Sequence, residues 1–258
     1  MGGLKYCFER EYVVRTLKGM KEGLAVIDSE GIATSHTDAA LKRGIKIYDY
    51  LNFGALERER PYYSSYKDLR LAEYEGWVGE YWVDVTSQKW KQHIVDEAKA
   101  KRDRGAIGLY FDNGDIYWMA REGFKEQGAE MMRKSPSAEA VYRAALDVMT
   151  TIRFDLGMVV MPNGADDLVR RIFKDSYGKA LVQAINQEGC LYENFKKQAK
   201  DEMKYRKAYM DWARQQDLYV RGIEYCDKAS QKATCILTYK HHKWQGLYIS
   251  KHKDLRGD

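Results

Sequence analysis

The sequence has little of what several common protein classes need. It contains only 3 prolines and 4 cysteines in 258 residues, and no two cysteines form a Cys-x-x-Cys pair. This disfavours a zinc site built on paired cysteines, and the length excludes a small disulfide-stapled scaffold. No apolar run is long enough to cross a bilayer and no amino-terminal signal peptide is present, so we expect no membrane contact. The location stays open, cytoplasmic as the sequence is written or secreted if a signal was removed.

Nucleotide-binding and nucleic-acid-binding features are also missing. No Gly-x-Gly-x-x-Gly loop and no Walker A loop occur. The net charge is +5, but the 43 Lys and Arg residues are interspersed with 38 Asp and Glu residues, whereas a nucleic-acid partner requires a concentrated basic patch. None of the five histidines follows a predicted strand. A zinc site there would therefore lack histidine ligands, and a serine or cysteine nucleophile would lack a histidine base. We therefore expect no nucleic-acid partner, no metal and no cofactor.

Tyrosine and tryptophan are abundant instead. The chain has 20 Tyr and 6 Trp against 7 Phe. Both side chains suit half-wet surfaces, where a ring packs while its polar edge stays hydrated. Such surfaces are typical of sugar-binding clefts and also of many protein interfaces.

The stretch from Ala106 to Asp115 carries the strongest chemical signal. A short apolar run ends there in two acids, Asp112 and Asp115. The run predicts a strand buried on both faces, and an acid at the end of such a strand is held rigidly while facing solvent. General acid/base or nucleophilic chemistry needs that placement. The alternative is that these residues only form a turn.

Strand-like and helix-like segments alternate along the chain. Eight such strands predict the α/β class and a (β/α)8 TIM barrel, forming one domain over residues 1–258 with its site at the carboxyl ends of the strands. An open doubly wound sheet is the alternative. The predicted strands are Gly23–Asp28, Ile45–Phe53, Tyr81–Val85, Ala106–Phe111, Leu156–Met161, Lys179–Gln187, Leu218–Ile223 and Gly246–Ser250.

Polar side chains at or after the predicted strand ends should converge on one rim. A crowded set of carboxylates fits glycoside hydrolysis, which uses two of them, and would also fit a divalent cation. We expect an acidic mouth on this basic protein, because the Lys and Arg residues fall on predicted helices. The converging residues are Asp28, Glu57, Asp84, Asp112, Asp115, Asn163, Glu188 and Glu224.

The order and spacing of these motifs resemble the endo-α-1,4-polygalactosaminidase family, glycoside hydrolase family 114. The resemblance implies a TIM barrel that cleaves α-linked galactosamine or N-acetylgalactosamine glycans without a cofactor. The family's Gly-Glu-Ala-Glu is here Gly54-Ala-Leu-Glu57, with one acid fewer. The segments that carry the resemblance are Tyr50–Glu57, Trp82–Val85, Phe111–Asp115, Pro162–Gly164, Glu188–Cys190 and Ile223–Tyr225.

Carried onto this sequence, the resemblance implies Asp112 as nucleophile or base and Glu188 as general acid/base. Because Ile185 and Leu191 flank Glu188, we expect it to be the more desolvated carboxyl and the proton donor. Asp115 is expected to bind substrate or to cap the next helix. The remaining substrate-binding candidates are Asp28, Tyr50, Glu57, Trp82, Asp84, Asn163, Tyr192 and Glu224.

The expected partner is an oligosaccharide or polysaccharide, and the oligomeric state is open. Two other functions remain possible at this point. One is a carbohydrate-binding barrel without catalysis, and the other is a barrel hydrolase that acts on a different glycan.

Overall fold

Eight parallel strands form the centre of the computed structural model, which describes residues 3–255 and 257. Five of them pair side by side in one sheet and three in a second. A parallel bridge between Asn163 and Asn186 joins the two sheets, and the first and last strands lie side by side, so the barrel is closed. The strands are β1 (Leu4–Cys7), β2 (Leu24–Ile27), β3 (Lys46–Asn52), β4 (Gly108–Asp112), β5 (Val159–Pro162), β6 (Ala184–Glu188), β7 (Tyr219–Tyr225) and β8 (Gly246–Ser250).

Long helices connect successive strands in the described residues. They form because apolar residues recur at helical spacing, as in α3, which buries Trp90, Ile94 and Ala98 against the barrel. The helices are α1 (Arg10–Gly19), α2 (Thr34–Lys42), α3 (Gln88–Asp103), α4 (Ala138–Thr150), α5 (Asp166–Lys174), α6 (Lys200–Gln215) and α7 (Ala229–His242). Shorter helical pieces span Tyr63–Tyr66, Lys67–Leu69, Ile116–Trp118, Met119–Gly123, Phe124–Glu126, Ala129–Lys134, Thr151–Asp155 and Gly178–Leu181.

The (β/α)8 prediction is confirmed, but one predicted barrel strand is wrong. Tyr81–Val85 lies outside the barrel, in an antiparallel sheet inserted between β3 and α3. The missing barrel strand is β1, which the sequence prediction omits. We call the inserted sheet the side sheet; its strands are Ala55–Glu57, Arg70–Glu73 and Glu80–Val83.

The barrel interior is rich in tyrosine. Tyr6, Tyr110 and Tyr225 pack there, each at most 5% exposed. The layer between strands and helices is mainly aliphatic instead. Buried tyrosine hydroxyls need hydrogen-bond partners, and those of this barrel find them near the carboxyl ends of the strands.

No helix in the described part of the chain combines the length and apolar character that crossing a membrane requires.

Candidate active site

Asp112 and Glu188 are joined by a single amide group. The Nδ2 atom of Asn163 donates to Asp112 Oδ1 over 3.1 Å and to Glu188 Oε1 over 3.0 Å. These two oxygens are therefore separated by no more than the sum of those distances. That limit is shorter than the roughly 6.5–9.5 Å between carboxyl groups in inverting glycosidases and fits the roughly 5–5.5 Å of retaining ones.

The orientation of Asn163 is fixed by a second amide inside the barrel. Asn186 Nδ2 donates to Asn163 Oδ1 over 2.8 Å, so the Nδ2 atom of Asn163 faces the carboxylates. The Tyr6 hydroxyl in turn donates to Asn186 Oδ1 over 2.8 Å. Asn186 is fully buried, which makes this chain of hydrogen bonds costly to rearrange.

Glu188 is held on both of its oxygens. The Tyr110 hydroxyl donates to Oε1 over 2.6 Å, and the Tyr225 hydroxyl donates to Oε2 over 2.8 Å. Behind it, Arg206 from α6 donates to the backbone carbonyls of Glu188 and Gly189. The carboxyl group thus sits at the end of β6 in a defined position, as a proton-transferring group requires.

Asp112 is a half-buried carboxyl with a shifted titration. Burial and the negative charge of Glu188 raise the pKa of Asp112 to about 6, against the opposing hydrogen bonds from the Asn163 side chain and the Asn113 backbone. The sequence predicts Glu188 to be the more desolvated carboxyl, but it is Asp112 whose pKa burial raises. The Asn113 side chain donates to Asn52 and Glu80, and its backbone hydrogen-bonds Asp112.

Glu80 is a site residue that the sequence prediction misses. Its Oε1 atom accepts hydrogen bonds from Asn52 Nδ2 over 3.0 Å and Asn113 Nδ2 over 2.8 Å. Burial, Glu57 and Asp112 raise the pKa of Glu80 to about 7. The sequence contains one signal for Glu80. Trp82 is a predicted site residue, and Glu80 lies two positions before it, so on a strand both side chains face the same side.

Tyr74 is the second missed residue. Its ring stacks on Trp82, with centroids 4.3 Å apart and an interplanar angle of 30°. Burial and the charges of four acids raise the pKa of its hydroxyl. Trp82 is only 5% exposed, and its role as a stacking platform stays a prediction. The four acids are Asp112, Asp115, Glu80 and Glu188.

Asp115 faces the same region and does not cap a helix. It precedes Ile116–Trp118 but makes no side-chain capping hydrogen bond there. Burial and the charges of Asp166 and Asp112 raise the pKa of Asp115 to about 7, while a hydrogen bond from the Ala165 backbone opposes the shift. The turn after β5 therefore contacts Asp115.

Asp28 and Glu57 belong to a buried ion network centred on Arg60. Arg60 Nη1 lies 2.6 Å from Asp28 and from Glu30, and Arg60 Nε lies 2.5 Å from Glu57. The Tyr50 hydroxyl donates to Glu57 over 3.2 Å, and the Arg60 guanidinium lies over its ring. The predicted substrate contacts Asp28 and Glu57 are thus engaged by arginine, and Tyr50 stands between this network and Asp112.

Two further candidates are engaged by hydrogen bonds from their own surroundings. Asp84 hydrogen-bonds the backbone and hydroxyl of Thr86 in the turn before α3. Glu224 is fully buried and accepts hydrogen bonds from the backbone of Leu191 and Tyr192 and from the Tyr239 hydroxyl.

These contacts give both residues structural roles, and their substrate-binding roles stay predictions. Asp84 fixes a turn, and Glu224 supports the loop after β6. Burial raises the pKa of Glu224 to about 7 despite these donors. Tyr192 is half-buried and lies on that supported loop.

The acids around the pair have few cationic neighbours. Among the described residues, no ion pair within 4.0 Å involves Glu80, Asp112 or Asp115. Arg206 reaches Glu193 and Glu202. The acidic mouth expected for a protein of net charge +5 stays a prediction. Within the described residues, no group of three or more His, Cys, Asp or Glu side chains is arranged to hold a metal ion.

Solved structures with this fold include several glycosidases. The glycoside hydrolase domain of PelA from Pseudomonas aeruginosa matches with a TM-score of 0.77 and 14% identity, over 99% of this chain and 97% of that one. Aspergillus fumigatus Ega3, in complex with galactosamine, matches with a TM-score of 0.69 and 19% identity, over 98% and 90%. The α-galactosidase TtGalA from Thermus thermophilus matches with a TM-score of 0.59 and 10% identity, over 95% and 57%.

No curated protein matches the chain. At the family level the assignment is direct, because residues 10–257 match glycoside-hydrolase family GH114. The barrel and the family agree with the resemblance noted in the sequence. This chain therefore belongs to glycoside-hydrolase family GH114 and is a glycoside hydrolase.

Proposed function

We propose that this enzyme hydrolyses α-linked galactosamine-containing glycans, with Asp112 as the nucleophile and Glu188 as the general acid/base. The observation that carries the proposal is the Asn163 amide shared by the two carboxyl groups. The galactosamine bound to the similar structure of Ega3 supports the choice of sugar. The unpaired acids around Asp112 support a substrate that carries positive charge.

The first step breaks the glycosidic bond. Glu188 gives its proton to the glycosidic oxygen while an Asp112 oxygen bonds to the anomeric carbon, so the leaving group departs as an alcohol. Tyr110 and Tyr225 hold the Glu188 carboxyl in place during this transfer. The second step reverses the roles: Glu188 takes a proton from water, the water oxygen bonds to the anomeric carbon, and the bond to Asp112 breaks.

The mechanism needs a proton on Glu188 and none on Asp112. The negative charge of Glu188 contributes to raising the pKa of Asp112. A proton on Glu188 removes that charge and so favours the ionised Asp112 that attacks the anomeric carbon.

The test is to replace each carboxyl by its amide. Asp112→Asn and Glu188→Gln keep the side-chain shape but remove the nucleophile or the proton, so each should lower kcat on a soluble α-1,4-linked galactosamine polymer by several orders of magnitude, about 10³-fold or more. Release of reducing ends measures turnover, and NMR of the first product shows whether the α configuration is retained. Asp38→Asn and Glu126→Gln, at exposed positions, should leave turnover unchanged.

Near-full activity in either amide variant would remove that residue from the mechanism. A first product of inverted configuration would contradict Asp112 as a nucleophile while leaving Glu188 as an acid.

A further inference from the structure

We propose that Glu80 distinguishes an amino group from an acetamido group on the sugar beside Asp112. The inference rests on the proposed function and assigns its sugar specificity to a residue of the side sheet. Glu80 begins the last strand of that sheet and approaches the ends of β3 and β4.

The Glu80 carboxyl has a defined orientation, because two side-chain amides hydrogen-bond one of its oxygens. Asn52 and Asn113 both donate to Oε1. The amide of Asn52 is itself oriented, because its Oδ1 accepts hydrogen bonds from the Ala55 backbone over 2.9 Å and from Asn113 over 3.0 Å. Among the described residues no donor is recorded for Oε2 of Glu80, which leaves that oxygen for a ligand.

The charge around Glu80 favours a cationic ligand. Asn52 Nδ2 donates both to Glu80 and to Glu57, and the charges of Glu57 and Asp112 act on the Glu80 carboxyl. Arg60, the cation of the neighbouring network, is already paired with three acids. A sugar ammonium group would supply the missing positive charge and three N–H donors, whereas a neutral acetamido group would supply one donor and no charge.

The wall next to Glu80 is aromatic and rigid. The Tyr74 backbone nitrogen donates to the Glu80 carbonyl over 2.9 Å, so the two residues are cross-strand neighbours. The Tyr74 ring is stacked on the buried Trp82. Tyr74 and Glu80 are therefore neighbours on adjacent strands, and the charges of Glu80, Asp112 and Glu188 all act on the Tyr74 hydroxyl.

The test compares Glu80→Gln with the wild type on two polymers of equal length. One is a de-N-acetylated α-1,4-galactosaminan and the other is its fully N-acetylated form. Loss of a charge-assisted hydrogen bond should lower kcat/KM on the amino polymer by about 10- to 100-fold, mainly through KM. On the N-acetylated polymer the variant should match the wild type.

Glu75→Gln is the matched control. Glu75 lies in the exposed turn of the same side sheet and loses the same charge, so its kinetics should not change on either polymer. Equal losses on both polymers for Glu80→Gln would overturn the inference, because Glu80 would then only support Asp112. A wild-type preference for the N-acetylated polymer would overturn it as well.

A binding measurement separates this inference from the proposed function. Calorimetry with galactosamine and N-acetylgalactosamine, on the wild type and Glu80→Gln, needs no turnover. If the wild type cleaves neither polymer but binds galactosamine through Glu80, the proposed function fails and the inference stands. The inference about Glu80 is contradicted if the wild type does not prefer galactosamine, or if Glu80→Gln keeps the wild-type preference.

Discussion

The amide of Asn163 is the smallest unit on which the site depends. It donates to both carboxyl groups and is itself aligned by Asn186. In that position the Asn163 side chain does not contact the glycosidic bond. It influences the charges of the Asp112 and Glu188 carboxyl groups, which do. Its role is therefore visible in the pH dependence of the reaction and not only in the rate.

Asn163→Ala should raise the pKa of Asp112 above about 6, because the amide hydrogen bond favours the ionised form. The acidic limb of the kcat/KM profile reports ionisation of the free nucleophile, so it should move to higher pH. A pH–rate series for the wild type and the variant measures the shift. Gln92→Ala removes an exposed amide from α3 and should leave the profile in place.

A uniform drop in rate with an unmoved acidic limb would contradict this role. Asn163 would then matter for the shape of the site and not for the titration of Asp112.

At the residue scale, the sequence identifies site residues at the ends of barrel strands better than site residues that lie in inserted segments. Asp112 and Glu188 end β4 and β6 and Asn163 follows β5, and the strand ends of one barrel necessarily meet. Glu80 and Tyr74 come from the side sheet, whose packing over the barrel no local pattern specifies. The roles of the catalytic pair stay predictions until the amide variants are measured.

At the element scale, strand composition does not reveal a strand's partner. Tyr81–Val85 has the β-branched and aromatic residues of a strand and forms one mostly as predicted, over Glu80–Val83. It pairs antiparallel in the side sheet because the chain turns back after β3. The short segment Leu4–Cys7 becomes a barrel strand because it pairs with β2 along its full length.

The ends of β3 and β4 approach each other closely at Gly54. A Cβ atom added there would lie 1.9 Å from the backbone oxygen of Asn113. Gly54→Ala should therefore push the two strand ends apart and break the hydrogen bonds among Asn52, Glu80 and Asn113. We expect a loss of about 1–3 kcal/mol in the free energy of unfolding and at least a tenfold loss of kcat, since about 1.4 kcal/mol in the barrier already gives that factor.

Chemical denaturation and turnover assays on the same preparation measure both effects. Gly19→Ala is the control, because no atom lies within 4 Å of its added Cβ. If Gly54→Ala retained wild-type activity, the spacing between β3 and β4 would not matter for the site.

At the scale of the whole molecule, the site makes folding dependent on protonation. Burial contributes to raising the pKa of each of four carboxyl groups to about 6 or 7. Their unfolded pKa values lie near 4, so between these limits the folded state binds more protons than the unfolded chain. These groups therefore make the protein less stable as pH rises from about 4 to about 7. They are Glu80, Asp112, Asp115 and Glu224.

Glu80→Gln isolates one of these contributions. Gln keeps an oxygen that can accept from Asn52 and Asn113 but carries no charge to desolvate. Near pH 4.5 the wild-type acid is neutral in the folded state, so the two proteins should differ little in free energy of unfolding. As pH rises to about 7.5 the wild type should become less stable than the variant by on the order of 1–2 kcal/mol, since one pKa unit corresponds to about 1.4 kcal/mol and solvent reduces the full effect.

Urea denaturation of both proteins across that pH range measures the gap, with Glu75→Gln as an exposed-site control. A gap that stayed constant with pH would mean that the substitution acts through packing. A gap that opened in the opposite direction, with the wild type gaining stability as pH rises, would mean that Glu80 is stabilised as an anion in the folded state. The free cleft would then already contain a positive partner for Glu80, and a sugar ammonium group would not be needed to balance its charge.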